Sequence, residues 1–156
     1  MDKQKVESIL GFYKNIDKEI SLKQQSIDKL EDRYYSPVGC VAYDGMPKGK
    51  GRNVSPTESA VLNVPEWVTK EMAELQQEQQ ALYQVKRAIR QELSKLPYEQ
   101  KAVIFMFYLE GIKWVQISAR IHYSERQCRN IRRCALAVLG RRFLSNKIIA
   151  EYVFPE

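Results

Sequence analysis

The sequence predicts an all-α protein: a long N-terminal helical hairpin or coiled coil, a flexible connector, and a C-terminal helix-turn-helix. Three observations predict it. Apolar residues recur every seven positions along two stretches, 2–34 and 65–96. Between them, residues 35–64 hold Gly39, Gly45, Gly49 and Gly51 with Pro37, Pro47 and Pro56, a turn-forming and weakly structured composition. Finally, residues 111–147 carry nine Lys/Arg against one acid, Glu125. The expected organisation is a helical domain over 1–96, a second helical domain over 97–145 and a tail over 146–156.

In the first stretch the seven-residue row is Val6, Tyr13, Ile20, Ile27 and Tyr34, with a companion row of Ile9, Ile16, Lys23 and Leu30. That spacing keeps one apolar seam along a helix. Lys23 is the polar break, and no proline interrupts the segment. The connector is expected at 35–64, where Cys40, Val41 and Tyr43 are the residues able to dock. Pro65 suits a first helical turn. After it the row is Val68, Leu75, Leu82, Ile89 and Leu96, flanked by Met72, Val85 and Leu93. Both helices would be about 50 Å long at 1.5 Å per residue. Matched lengths fit an antiparallel hairpin within one chain and equally a homodimer seam, because the contacting side chains are alike in both.

Leu96-Pro97 ends the second helix and begins a third. Residues 98–109, YEQKAVIFMFYL, are expected to form one very apolar helix. Its buried stripe would be Ala102, Phe105, Met106 and Leu109, widened by Val103 and Phe107. Gly111 stands where a helix C-cap needs a left-handed residue. A short helix over 114–121 follows, then a turn at His122-Tyr123. Ser124-Glu125-Arg126-Gln127 is a capping box: the Ser hydroxyl accepts from the Gln127 N–H and the Gln side chain can reach back. The helix it opens should run to about residue 143. At 100° per residue, Cys128, Ile131, Ala135, Val138 and Leu139 share one side, and Arg126, Asn130 and Arg133 share the other. Trp114 replaces an apolar site and is expected to pack in the core or at its rim.

Charge sharpens the expectation. Residues 1–34 and 65–96 are each neutral by count, whereas 97–156 carry ten Lys/Arg against five Asp/Glu. A basic segment joined to neutral helices suits a phosphate backbone. Arg pairs with guanine, Asn and Gln with adenine, and a carboxylate accepts from cytosine. The expected base readers are therefore Glu125, Arg126, Gln127 and Asn130. Lys113, Gln116, Ser124, Arg129, Arg132 and Arg133 are expected on phosphates. Double-stranded DNA is the expected partner, with bacterial RNA polymerase a further candidate.

Catalytic parts are scarce. There is one histidine, His122, and no CxxC, HExxH or GxSxG motif. Cys128 and Cys134 are six apart on a helix and cannot chelate one ion together. Gly45-Met-Pro-Lys-Gly-Lys-Gly51 is one residue short of a phosphate loop and lacks its Ser/Thr. No enzyme activity, metal or cofactor is expected. Three cysteines without framework spacing argue for a reducing compartment. With no long apolar run and no signal peptide at MDKQKVESIL, the expected site is cytoplasmic and nucleoid-associated.

The stretch from Leu96 to Leu139 resembles region four of the sigma-70 family, a module that reads promoter DNA. The matching pieces are Leu96-Pro97 with Glu99-Gln100, Gly111, Trp114-Val115-Gln116-Ile117, Tyr123-Ser124, and the apolar sites Cys128, Ile131, Ala135, Leu136 and Leu139. The resemblance implies base contacts at Glu125, Arg126 and Asn130. Lys113 departs from the family's Ser/Thr cap, and Cys128 from its aliphatic residue. Nothing upstream resembles sigma region two. The layout as a whole is similar to short regulators of Gram-positive phages and prophages, of the ArpU and RinA type, chiefly over Tyr108–Ile117 and Tyr123–Gln127. That similarity implies activation of a phage gene set, such as a late operon. Small terminase subunits share the layout of a helix-turn-helix on an oligomerising helical part. A module that binds polymerase without DNA is the other alternative.

Overall fold

The heptad rows become two long helices in the computed structural model, which describes residues 1–35 and 64–155. These are α1 (Lys3–Tyr34) and α2 (Glu66–Ser94). Four shorter helices follow among the described residues: α3 (Tyr98–Ile104), α4 (Trp114–Ile121), α5 (Glu125–Ser145) and α6 (Lys147–Glu151). A π-helical turn, Phe105–Leu109, continues α3. The connector, with Cys40 and the Gly45–Gly51 stretch, lies outside the described residues. No described helix is long and apolar enough to cross a membrane.

The chain divides into two units, Ser21–Gln80 and Met1–Ile20 with Ala81–Glu156. The sequence boundary at residue 96 falls inside the latter. In the 21–80 unit, Ile27 packs with Val68 and Met72, beside Leu30, Tyr34 and Leu75. Lys23 forms an ion pair with Glu78, Gln79 donates to Gln24 at 2.7 Å, and Tyr35 meets Thr69 at 3.4 Å. Ascending positions on α1 thus meet descending positions on α2, so the helices are antiparallel. The polar break at Lys23 has a partner, and that pair marks register more than it adds stability.

In the larger unit, the first half of α1 meets the second half of α2. Ile16 and Ile20 pack on Leu82, and Asp17 pairs with Lys86. The main core joins Val6, Ile9 and Leu10 of α1 to Val85, Ala88, Ile89, Leu93 and Leu96. Ile104, Ile149 and the α5 residues Ala135, Leu136, Leu139 and Phe143 complete it. Within this chain α1 and α2 therefore pair with each other along their seven-residue rows. Gly140 lets α5 approach closely: a Cβ there would stand 2.9 Å from the Met1 carbonyl oxygen. The tail also docks. Ile149 is fully buried, and Phe12 makes ring contacts with Tyr152 at 5.8 Å and Phe154 at 5.3 Å.

A second, smaller core comprises Val103, Ile117, Cys128 and Ile131. It corrects the expected stripe on residues 98–109. Val103 and Ile104 are the fully buried residues there, while Ala102, Phe105, Met106 and Leu109 are half-buried. The reason is that this segment serves two cores. Phe105 and Tyr108 pack on the main one, Met106 and Phe107 on the smaller one. A uniform α-helix presents one stripe. The π turn, in which Glu110 N–H donates to the Phe105 carbonyl at 3.0 Å, adds a residue and turns neighbouring side chains toward different cores.

Glu92 is the buried charged residue of the described chain, 6% exposed. It accepts from Lys95 at 2.8 Å and from Asn146 at 3.2 Å, with Arg142 at 3.8 Å. Burial pushes its carboxyl up, but the bonds from Lys95 and Asn146 and the charges of Lys95 and Arg142 outweigh that and hold it below the usual range. A lowered folded pKa stabilises above the unfolded value, and the contribution is lost as pH falls through the folded one. Glu92→Gln should therefore cost about 1–3 kcal/mol at pH 7. The gap between parent and variant should begin to narrow as pH falls to about 4, the unfolded carboxylate value, and close only through the lower folded one. Urea melts of both proteins from pH 3 to 7 check this, and a pH-independent gap would contradict it.

Candidate nucleic-acid interface

The basic segment occupies α4, the turn after it and α5. Lys113, extended at φ −72° and ψ 151°, precedes α4 and makes no side-chain cap bond. Gly111 is left-handed at φ 71°, the conformation for which glycine is suited. The turn between α4 and α5 is three residues. His122 is left-handed at φ 58° and ψ 33°, which ends α4 and redirects the chain. Tyr123 donates its hydroxyl to Glu99 at 2.6 Å, tying the turn to α3. Ser124 caps α5: its hydroxyl accepts from the Gln127 N–H at 3.2 Å. The return bond from the Gln127 side chain is not made.

α5 separates its residues cleanly. Cys128, Ile131, Ala135, Leu136, Leu139, Gly140 and Phe143 are buried. Burial pushes the Cys128 thiol up, as befits a small apolar side chain rather than a reactive one. Arg126, Gln127, Asn130 and Arg133 are exposed, as are Lys113 and Gln116 beside α4. Arg126, Asn130, Arg133 and Lys113 make no side-chain hydrogen bond or ion pair among the described residues. Their donors are turned to solvent and open to a ligand.

No family model, curated protein or solved structure matches this chain. The site therefore rests on its own geometry.

Three of the expected site residues stand apart. Glu125 is half-buried and pairs with Arg129 at 3.2 Å. An exposed pair of this kind is weak, so a ligand can displace it. Arg129 also lies 5.8 Å from the Trp114 ring centroid. Arg132 is more firmly held, with its guanidinium carbon 5.1 Å from the Phe107 ring and 5.4 Å from the Trp114 ring. Those two rings stack at 4.4 Å and 24°. Trp114 is thus part of the rim of the smaller core. Sequence reasoning missed the Phe107–Trp114–Arg132 cluster, although Arg132 is only about 40° around the helix from buried Cys128. His122 is exposed, and no cluster of metal-ligating residues occurs among the described residues.

Proposed function

We propose that this protein is a sequence-specific DNA-binding regulator of transcription, of the kind phages and prophages encode, using α4 and α5 as a helix-turn-helix. One observation carries the reading. Arg126, Asn130 and Arg133 lie in a row on the exposed side of a capped helix whose opposite side is buried, and their donors have no partner among the described residues. A major groove accepts an α-helix, and this row offers it Arg126 and Asn130, with donors suited to guanine and adenine edges, and Arg133 for a phosphate. Lys113 and Gln116, exposed at the start of α4, supply backbone contacts that fix the helix in place. The mechanism is equilibrium recognition without bond chemistry. Cations give salt-dependent affinity, while Arg126, Asn130 and Gln127 read bases, joined by Glu125 when Arg129 releases it for a phosphate.

Selection of bound sequences from a random duplex pool tests the reading. Recovery of a single motif is the expected result. No gel shift with any duplex at low salt would refute it. An assembly of eight or more copies in solution would favour a packaging component instead, since a monomer or dimer is expected of the regulator.

A further inference from the structure

We infer that Arg132 is a positioning residue for the reading helix rather than a phosphate ligand, acting through its contact with the stacked rings of Phe107 and Trp114. The inference rests on the DNA-binding reading above. It replaces the phosphate role that charge and spacing alone suggest for this residue.

The stack joins three elements. Phe107 comes from the π turn, Trp114 from the first turn of α4, and Arg132 from α5. Arg132 lies within cation–π range of both rings, at 5.1 and 5.4 Å, nearly equidistant from the two and therefore beside the stacked pair, where its planar guanidinium touches both. Its Nε is buried and without a hydrogen-bond partner. That atom faces protein rather than solvent, which a free phosphate ligand would not show. Behind the stack, Phe107 meets Tyr108 edge-on at 4.9 Å, and Tyr108 donates its hydroxyl to Glu7 at 2.7 Å. Burial and the bond to Glu7 push the Tyr108 hydroxyl up, so it stays protonated and donating. A chain of contacts thus runs from α1 through the π turn to the base of α4 and the second turn of α5.

Its consequence is geometric. Lys113 immediately precedes Trp114, and Arg126, Asn130 and Arg133 share α5 with Arg132. Fixing Trp114 against Arg132 fixes how far a backbone contact from α4 stands from the base readers Arg126 and Asn130 on α5. Loosening the stack should leave the charges in place and blur their spacing. Base readout demands better geometry than phosphate attraction does, so specificity should suffer more than overall affinity.

Binding is measured by fluorescence anisotropy on the selected site and on random duplex across a salt series. The proteins are the parent, Arg132→Gln, Arg132→Lys and Arg133→Ala. The cognate-to-random ratio should fall on the order of tenfold for Arg132→Gln, with the salt slope unchanged. Arg133→Ala should weaken both duplexes alike and flatten the slope by about one. Arg132→Lys decides between the roles even where Arg132→Gln folds poorly. It keeps a cation for phosphate but loses the planar guanidinium that touches both rings, so it should lose specificity at an unchanged slope. Acrylamide quenching of Trp114, in a Trp67→Phe background without DNA, should rise for both Arg132 variants. A flattened slope for Arg132→Gln, full specificity in Arg132→Lys, or unchanged quenching would overturn the inference. Failure of the parent to bind any duplex at low salt would instead refute the functional reading, and quenching would still judge the stack.

Discussion

Replacing Phe143 with Ala should lower the unfolding free energy by about 3–5 kcal/mol, a large share of what a chain of this size has to spare. Phe143 is fully buried and heads the buried side chains by volume. It belongs to the core that α5 shares with Val6, Ile9 and Leu10 of α1 and with Ile89 and Leu93 of α2. Close approach at Gly140 leaves little freedom for the surrounding backbone to collapse into the vacated space, because the Met1 carbonyl already lies against the helix. Val115→Ala is the control. Val115 is 66% exposed, and its truncation should move stability by no more than about 0.5 kcal/mol. Urea unfolding followed by circular dichroism measures both. A loss below about 1 kcal/mol for Phe143→Ala would mean that the C-terminal half of α5 does not seat in this core.

Arg126→Ala should cost about 1–3 kcal/mol on the selected site and relax preference at one base pair. Arg126 is exposed in the first turn of α5, one residue beyond Glu125, where a helix entering the major groove by its N-terminus brings side chains to base edges. Arg133→Ala should behave differently. That residue is two turns further along, and its loss should weaken cognate and random duplex by the same factor and flatten the salt dependence. Competition titrations at several salt concentrations separate the two. Equal losses on both duplexes for both variants would refute the division between reading and holding.

Much of this architecture was legible because periodic burial leaves a periodic sequence. Val6, Ile9, Ile16, Ile20 and Ile27 on one side, and Val68, Leu82, Ile89 and Leu96 on the other, are buried as their seven-residue spacing requires. The Ser124 cap, the left-handed residue at Gly111 and the turn at His122 were legible for a local reason: each depends on a few adjacent residues. Long-range features were not. Nothing near Glu92 in sequence announces Arg142 and Asn146, which the fold brings to it from α5 and the residue after it. Residues 105–109 defeated a single-period reading because they face two cores at once. A hairpin and a two-chain seam use the same side chains. The hairpin became visible only in cross-helix pairs such as Lys23 with Glu78. On α5, exposure of Arg126, Asn130 and Arg133 followed from the helical wheel, whereas the engagement of Arg132 depended on where Phe107 and Trp114 lie.

Contact between the exposed row on α5 and nucleic acid is tested most directly by amide shift perturbation on titrating the labelled protein with a short duplex carrying the selected motif. The largest changes are expected at 113–116 and 124–133, with little change at 66–76. Perturbations concentrated away from α4 and the first half of α5, for example around Glu92 and Arg142, or none at all at saturating duplex, would contradict it.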